Sequence, residues 1–298
     1  AHWFAEMQMA QASAERIMSL IAAKSEVADS EDVMQRLQGN YSEELAEDGL
    51  SNDINQIEFQ QVNFSYAVGG PVLADINLTI NKGETIAIVG STGSGKTSLI
   101  SLLCRFYEPT AGTILLDGID YRNRSLNFLQ SNLGIVLQSS HVFAGTVEDN
   151  IQYGSLHADH QQIVAAAKKA GAHHFIKEMP EGYATQINES GASLSAGQKQ
   201  LISFARAILA DPKILIMDEA TSSVDTLTEQ HVQAGLKTLL EGRISVVIAH
   251  RLSTIRNATR IIVIEQGRII EVGNHDQLME TKGRYHTLYR QQRLSSLW

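Results

Sequence analysis

Apolar residues recur at spacings of three and four at the start of the chain: Trp3, Phe4, Met7, Ala10, Ala14, Ile17, Leu20 and Ile21. That period predicts an amphipathic helix over residues 2–22, whose apolar stripe needs a partner. From Ala23 to Asn55 the periodicity fades and acidic residues accumulate. Gly39-Asn40 and the cluster from Gly49 to Asp53 read as turns, so residues 23–56 are expected to form an acidic linker. A compact domain, 57–298, follows.

There the period changes to two. Ile57 to Tyr66 alternates as a strand, Pro71 to Leu73 opens a second short strand region, and Leu78, Ile80 and Thr85 to Val89 continue the pattern. Residues 96–106 run helically, and Gly112 to Leu116 and Leu133 to Leu137 read as further strands. A polar, alanine-rich stretch from Thr146 to about Ile187 reads as helical. A helix from Ala196 to Leu209 follows a Gly/Ser-rich turn. Ile214 to Met217 and Ser245 to Ala249, on either side of a helix near 228–240, are short and almost wholly apolar. Such runs belong to strands buried on both faces of a mostly parallel sheet. The expected fold is α/β.

Composition narrows the choices. The chain has 298 residues, 43% hydrophobic and 19% charged with 4 Pro, which excludes a collagen-like or wholly disordered chain. No stretch approaches the roughly 18 apolar residues of a spanning helix. The opening Ala-His-Trp-Phe, without Met, suggests a piece of a longer chain. The net charge is -9, and residues 1–56 carry 11 Asp+Glu against 3 Lys+Arg, so no broad basic face for nucleic acid is implied. A single cysteine, Cys104, makes no internal disulfide and points to a reducing compartment. In its helix it reads as a small buried hydrophobe.

The chemistry lies at strand ends. Gly90-Ser91-Thr92-Gly93-Ser94-Gly95-Lys96-Thr97 matches G-x-x-x-x-G-K-[ST] between a strand and a helix that begins at Ser98. Glycines let successive N–H groups and the helix start converge on phosphate oxygens. Lys96 would bridge the β- and γ-phosphates of a nucleotide and the Thr97 hydroxyl would ligate Mg2+. The run Ile214 to Met217 ends in Asp218 and Glu219, where Asp218 can hold Mg2+ through water and Glu219 can accept the proton of an attacking water.

With these motifs in place, residues 57–290 resemble the nucleotide-binding domain of an ATP-binding cassette (ABC) protein. Leu194-Ser195-Ala196-Gly197-Gln198 is similar to the signature L-S-G-G-Q of that family. The resemblance implies a P-loop ATPase fold with a mostly parallel core sheet, an antiparallel β subdomain and a helical signature subdomain at about 140–210. It implies ATP and Mg2+ as ligands. Ser195 and Gly197 would act on ATP held by a second nucleotide-binding domain, and Ala196 departs from the family's glycine, where a Cβ would crowd the phosphate if φ were positive. Tyr66 fits the aromatic that stacks on adenine, Gln138 the glutamine that reaches Mg2+ and water, and His250 the histidine that bonds the γ-phosphate. Ser222-Ser223-Val224-Asp225 resembles the loop that crosses the dimer interface.

Phe143-Ala144-Gly145-Thr146, followed by Asn150-Ile151, resembles the phrase of exporter-type cassettes. Asn188-Glu189-Ser190-Gly191 resembles their G-E-R-G loop, with Ser190 in place of Arg. The resemblance then makes the first helix the cytoplasmic end of a transmembrane domain, and the chain an ATP-hydrolysing exporter motor at the cytoplasmic face of a membrane. Two alternatives remain open at this point: a soluble cassette ATPase with no membrane partner, and a module that binds ATP to dimerise without turnover.

Overall fold

The structure, a computed structural model, describes residues 2–23, 25–42, 45–137, 140–188, 191–218, 226–249 and 251–295, without the side chains of 226–228, 294 and 295. Its strands are β1 (Gln56–Ser65), β2 (Pro71–Asn81), β3 (Thr85–Val89), β4 (Ala111–Leu116), β5 (Ile119–Asp120), β6 (Leu133–Val136), β7 (Gly145–Thr146), β8 (Gln186–Ile187), β9 (Ile214–Asp218), β10 (Ile244–Ile248), β11 (Arg260–Glu265) and β12 (Arg268–Gly273). The core sheet runs β12-β11-β3-β10-β9-β6 and is parallel except for β12, which returns antiparallel beside β11. A second, antiparallel sheet runs β2-β1-β4-β5, and β7 and β8 form a small ribbon.

The central strands read as unbroken apolar runs because their alternate side chains enter different cores. Ile86 and Ile88 of β3, Ile214 and Ile216 of β9, and Ile262 and Ile264 of β11 pack toward the antiparallel sheet. Ala87, Val89, Leu215, Met217, Ile261 and Val263 from the same strands pack into the other core. Each fully buried aliphatic side chain contributes roughly 1.5–3 kcal/mol, which ties the sheet to both layers at once.

The helices divide between those layers. Helix α1 (His2–Ile21) stands apart, with no buried residue, and Trp3 and Leu20 are 84% and 78% exposed. The helix matches the expected span, and its stripe is unpartnered among the described residues. Helix α2 (Glu31–Arg36) buries Val33, and α3 (Lys96–Leu103) buries Leu99, Leu102 and Leu103 on the antiparallel-sheet side. Helix α4 (Leu126–Ser131) lies on that side too. The opposite core takes α5 (Val147–Gln152), α6 (His160–Ala170), α7 (His173–Glu178), α8 (Ala196–Ala210) and α9 (Thr226–Leu240). Helices α10 (Leu252–Asn257), α11 (His275–Thr281) and α12 (Arg284–Ser295) close the described chain.

Three elements differ from the sequence expectation. The two segments expected on either side of residues 74–77 are one strand, β2, bent at Asp75 (φ 52) and facing a bulge at Gln61 (φ 49). Asn side chains stitch the bulge: Asn77 Oδ1 accepts the Gln61 N–H at 2.9 Å, and Asn63 Oδ1 accepts the Asp75 N–H at 3.0 Å. An extra residue breaks the period of two, so the pattern reads as two pieces. Helix α3 stops at Leu103 rather than 106, because Arg105 turns left-handed (φ 53) and buries its side chain.

The third concerns the acidic stretch. Residues 26–42 and 45–54 lie against the domain as a strap, with Val33, Ala46 and Ile54 buried. Asp48, fully buried, accepts from Arg124 Nε at 2.8 Å and from the Ser125 N–H at 3.0 Å. Arg124 Nη2 also donates to the Ser51 carbonyl at 2.8 Å, and its guanidinium stacks 3.6 Å over Phe128. Burial works against the Asp48 charge, but the hydrogen bonds from Arg124 and Ser125 outweigh it and hold the carboxyl below its ordinary value.

Candidate functional site

The segment Gly90 to Ser98 leaves β3 at the C-terminal edge of the core sheet, where open α/β sheets bind ligands. Gly90 passes so close to β11 that a Cβ there would lie 2.2 Å from the Ile264 carbonyl. Gly95 caps α3 with φ 107, a region other residues avoid, and without a side-chain bond to the helix. The first N–H groups of α3 thus have no side-chain cap, the arrangement that takes an anion. Lys96 Nζ donates to the carbonyls of Gly90 and Ser91, each at 2.9 Å. Burial pushes its ammonium down from the usual value, and the Asp218 carboxylate opposes that. Ser94 Oγ is buried without a hydrogen-bond partner among the described residues, an orphan hydroxyl of the kind a ligand satisfies.

Tyr66 follows β1 and reaches the same helix: its hydroxyl and Ser98 Oγ are 3.0 Å apart. Phe64 and Tyr107 meet its ring edge-to-face, at 4.8 and 5.2 Å between centroids. A cavity of about 530 Å³ opens here, lined by Tyr66, Tyr107, Glu108, Glu26 and Val27. A second, of about 390 Å³, is lined by Gly90, Lys96, Ala249, Leu288 and Gln291. Of these lining residues, sequence reading named Tyr66, Gly90 and Lys96 but not Tyr107, Glu26, Val27, Leu288 or Gln291. Those side chains come from distant segments, and no local spacing marks them.

Asp218 ends β9, paired in register with Ile248 of β10, which in turn pairs with Ile88 of β3; Val136 of β6 pairs with Met217. The ends of these four strands therefore share the edge that carries the phosphate loop. Gln138, Glu219, Asp225 and His250 lie outside the described residues, as do Glu189, Ser190 and Ser222 to Val224. The oxygen donors at this edge, the exposed Thr97 hydroxyl and the half-buried Asp218 carboxylate, are the hard type that suits Mg2+. Among the described residues no cluster of three or more His, Cys, Asp or Glu forms a metal cage.

Ser195 opens α8 with a complete capping box: its Oγ accepts the Gln198 N–H at 3.2 Å, and Gln198 Oε1 accepts the Ser195 N–H at 2.9 Å. Ala196 is the first helical residue and is absent from the positive-φ positions, so its Cβ carries no backbone strain. Gly197 is buried. Helix α8 packs on the face of the sheet away from α3, and no residue of 194–198 lines either cavity described above.

The segment from Phe143 to Ile151 is built by Asn150, 1% exposed, whose side chain accepts the Phe143 N–H at 2.8 Å and donates to the carbonyls of Phe143 and Thr146, each at 2.9 Å. Arg206 of α8 donates to the Asn150 carbonyl at 2.9 Å and lies 5.1 and 5.6 Å over the rings of Phe143 and Tyr153. Cys104 is buried, and burial pushes its thiol up to about 12, leaving it an inert packing group.

Residues 73–222 match the family described as ABC transporter. Over 293 residues the chain is 46% identical to the uncharacterized ABC transporter ATP-binding protein YfiC of Bacillus subtilis, covering 98% of this chain and 46% of that protein. It is 45% identical over 269 residues to a fatty acid ABC transporter ATP-binding/permease protein of Mycobacterium bovis, covering 90% and 43%. Among solved structures, that of a bacterial Atm1-family ABC exporter with ATP bound superposes with a TM-score of 0.81 at 35% identity, covering 96% of this chain and 48% of that one. The chain thus spans about half the length of the relatives it matches.

Proposed function

Because this chain belongs to the ABC transporter family, we propose that it is the ATP-hydrolysing motor domain of an exporter, working at the cytoplasmic face of a membrane. The observation that carries the reading is the phosphate loop: an uncapped helix start, Lys96, and an unpartnered Ser94 hydroxyl at the edge where Asp218 ends its strand. The loop N–H groups and Lys96 hold the β- and γ-phosphates, and Tyr66 presents its ring to adenine. Thr97 and Asp218, with Gln138, would hold Mg2+, which when bound would supply charge neutralisation for the phosphates. Glu219 accepts the proton of the attacking water, and His250 bonds the γ-phosphate.

Ser195, Ala196, Gly197 and Gln198 belong, in this reading, to the site of a second copy or a related domain. The support is their position on the far face of the sheet from the phosphate loop. Two ATP molecules then join two such domains, Asp225 lies at their junction, and hydrolysis releases the closed pair because a ligand that favours one state ceases to hold it. Helix α1, whose apolar residues lack a partner among the described residues, leads toward the transmembrane domain. Among the described residues no helix is long and apolar enough to cross a membrane itself. The transported molecule is chosen by that other domain.

The test is ATPase rate against protein concentration for the parent chain and Glu219→Gln, with dimerisation followed by light scattering in MgATP. The variant is expected to dimerise while turnover falls about 10²- to 10⁴-fold. Equal hydrolysis by the two proteins would defeat the assignment of Glu219, and a parent rate per molecule independent of concentration would defeat the shared site.

A further inference from the structure

The cavity beside Tyr66 has a wall that the phosphate-loop motif does not supply. Glu26 and Val27 of the strap line it together with Tyr66, Tyr107 and Glu108. The next two residues are held by Arg105, 2% exposed and two positions beyond the end of α3. Its Nη2 donates to the Ala28 carbonyl at 3.2 Å, and its Nη1 lies 3.8 Å from Asp29. The same guanidinium grips Glu108, also on the cavity wall, at 3.0 Å, and donates to the carbonyls of Tyr121 and Arg124 at 3.3 and 3.1 Å. Asp29 in turn accepts the Leu126 N–H at 2.8 Å. One buried cation thus joins the phosphate-loop helix, the strap and the cavity wall. A buried guanidinium keeps its place only while its acceptors stay in place.

We propose that residues 26–29 of the strap form part of the base site, so that binding of the purine base and docking of the strap stabilise each other. The inference rests on the nucleotide reading of the phosphate loop. Coupling of this kind is reciprocal: whatever the base gains from a docked strap, the strap gains from a bound base. Helix α1 ends at Ile21, five residues before Glu26. Displacement of α1 that lifts the strap therefore opens the base cavity while the phosphate loop stays in place. That is a route from the first helix to the nucleotide that passes through neither Gln138 nor the signature helix.

The experiment compares ATP with inorganic tripolyphosphate, which offers the phosphates without the base, each with Mg2+ and the 298-residue chain. Backbone amide exchange at residues 26–30 is expected to slow on adding ATP and to stay unchanged with tripolyphosphate. The Asp29→Ala variant, which removes one of the partners of Arg105 and the acceptor of the Leu126 N–H, is expected to weaken ATP by about five-fold or more with tripolyphosphate affinity unchanged. Equal slowing with both ligands, or ATP affinity untouched by the substitution, overturns the inference and leaves the nucleotide reading standing. A parent chain that binds neither ligand overturns both.

Discussion

The two sides of the core sheet are fastened in different ways. On the α8 side, three helices are closed by their own neighbours: capping boxes pair Thr146 with Asp149, Asp159 with Gln162 and Ser195 with Gln198, each three residues apart. On the α3 side the helix that opens the phosphate loop has no side-chain cap, and several polar contacts around it come from far along the chain. Asp48 reaches Arg124, Ala28 reaches Arg105, and Tyr66 reaches Ser98. A locally closed terminus is complete before any ligand arrives. An uncapped one leaves donors for an anion and depends on tertiary contacts to hold its shape.

Substitutions at four positions sharpen that contrast. The largest effect on stability is expected from Asp48→Asn, which leaves a buried Arg124 without its charge partner, at about 3–5 kcal/mol, read as a lower urea midpoint. The acid limb reports the same pair. The Asp48 carboxyl is held below its ordinary 3.8 in the folded state, so its stabilisation is complete above that pH and is lost as pH falls through 3.8 toward the folded value. A wild-type acid limb no steeper than that of the variant would remove Asp48 from the account.

Lys96→Ala comes next. Among the described residues its ammonium hydrogen-bonds to carbonyls of its own loop, so the melting temperature should hardly move. ATP affinity should fall by about 2–3 kcal/mol, roughly 30- to 150-fold, in a titration. Unchanged affinity would take Lys96 out of the phosphate site.

Ser195→Ala removes a side-chain cap from the opposite helix and should cost about 1 kcal/mol in thermal unfolding. Ser195→Asn restores the cap, so the pair separates two roles. If Ser195 also meets phosphate across a dimer, both variants lose ATP-dependent association; if association survives in Ser195→Asn, the serine is a cap alone.

The smallest effect belongs to Ala196→Gly. With Ala196 already helical, the change should lower stability by at most about 1 kcal/mol and leave turnover unaltered. A several-fold gain in ATPase rate would mean that the alanine Cβ does obstruct the phosphate.

How much of this was legible in the sequence follows from the same contrast. The core strands were readable because Ile214–Met217 and Ser245–Ala249 meet apolar cores on both faces, and the phosphate loop because its glycines and Lys96 are set by local geometry. Strand β2 was read in two parts because a bulge interrupts its period. The hairpin of β11 and β12 went unread, although the run Ile261 to Ile264 lies in it. Its edge strand alternates between exposed and half-buried positions and carries little apolar signal.

The strap shows the limit most clearly. Its acidic composition looks like solvated chain, and Asp29, Glu47 and Asp48 all find partners between residues 105 and 127. Sequence by itself determined the buried strands of the parallel sheet and the phosphate-loop motif, because each depends on residues a few positions apart whose periodicity or spacing carries the physics. Tertiary structure alone decided which distant groups share a cavity, that Arg105 and Arg124 are buried hubs, and that the acidic stretch docks. Those outcomes depend on charge pairs that stabilise only when folding brings both partners out of water together.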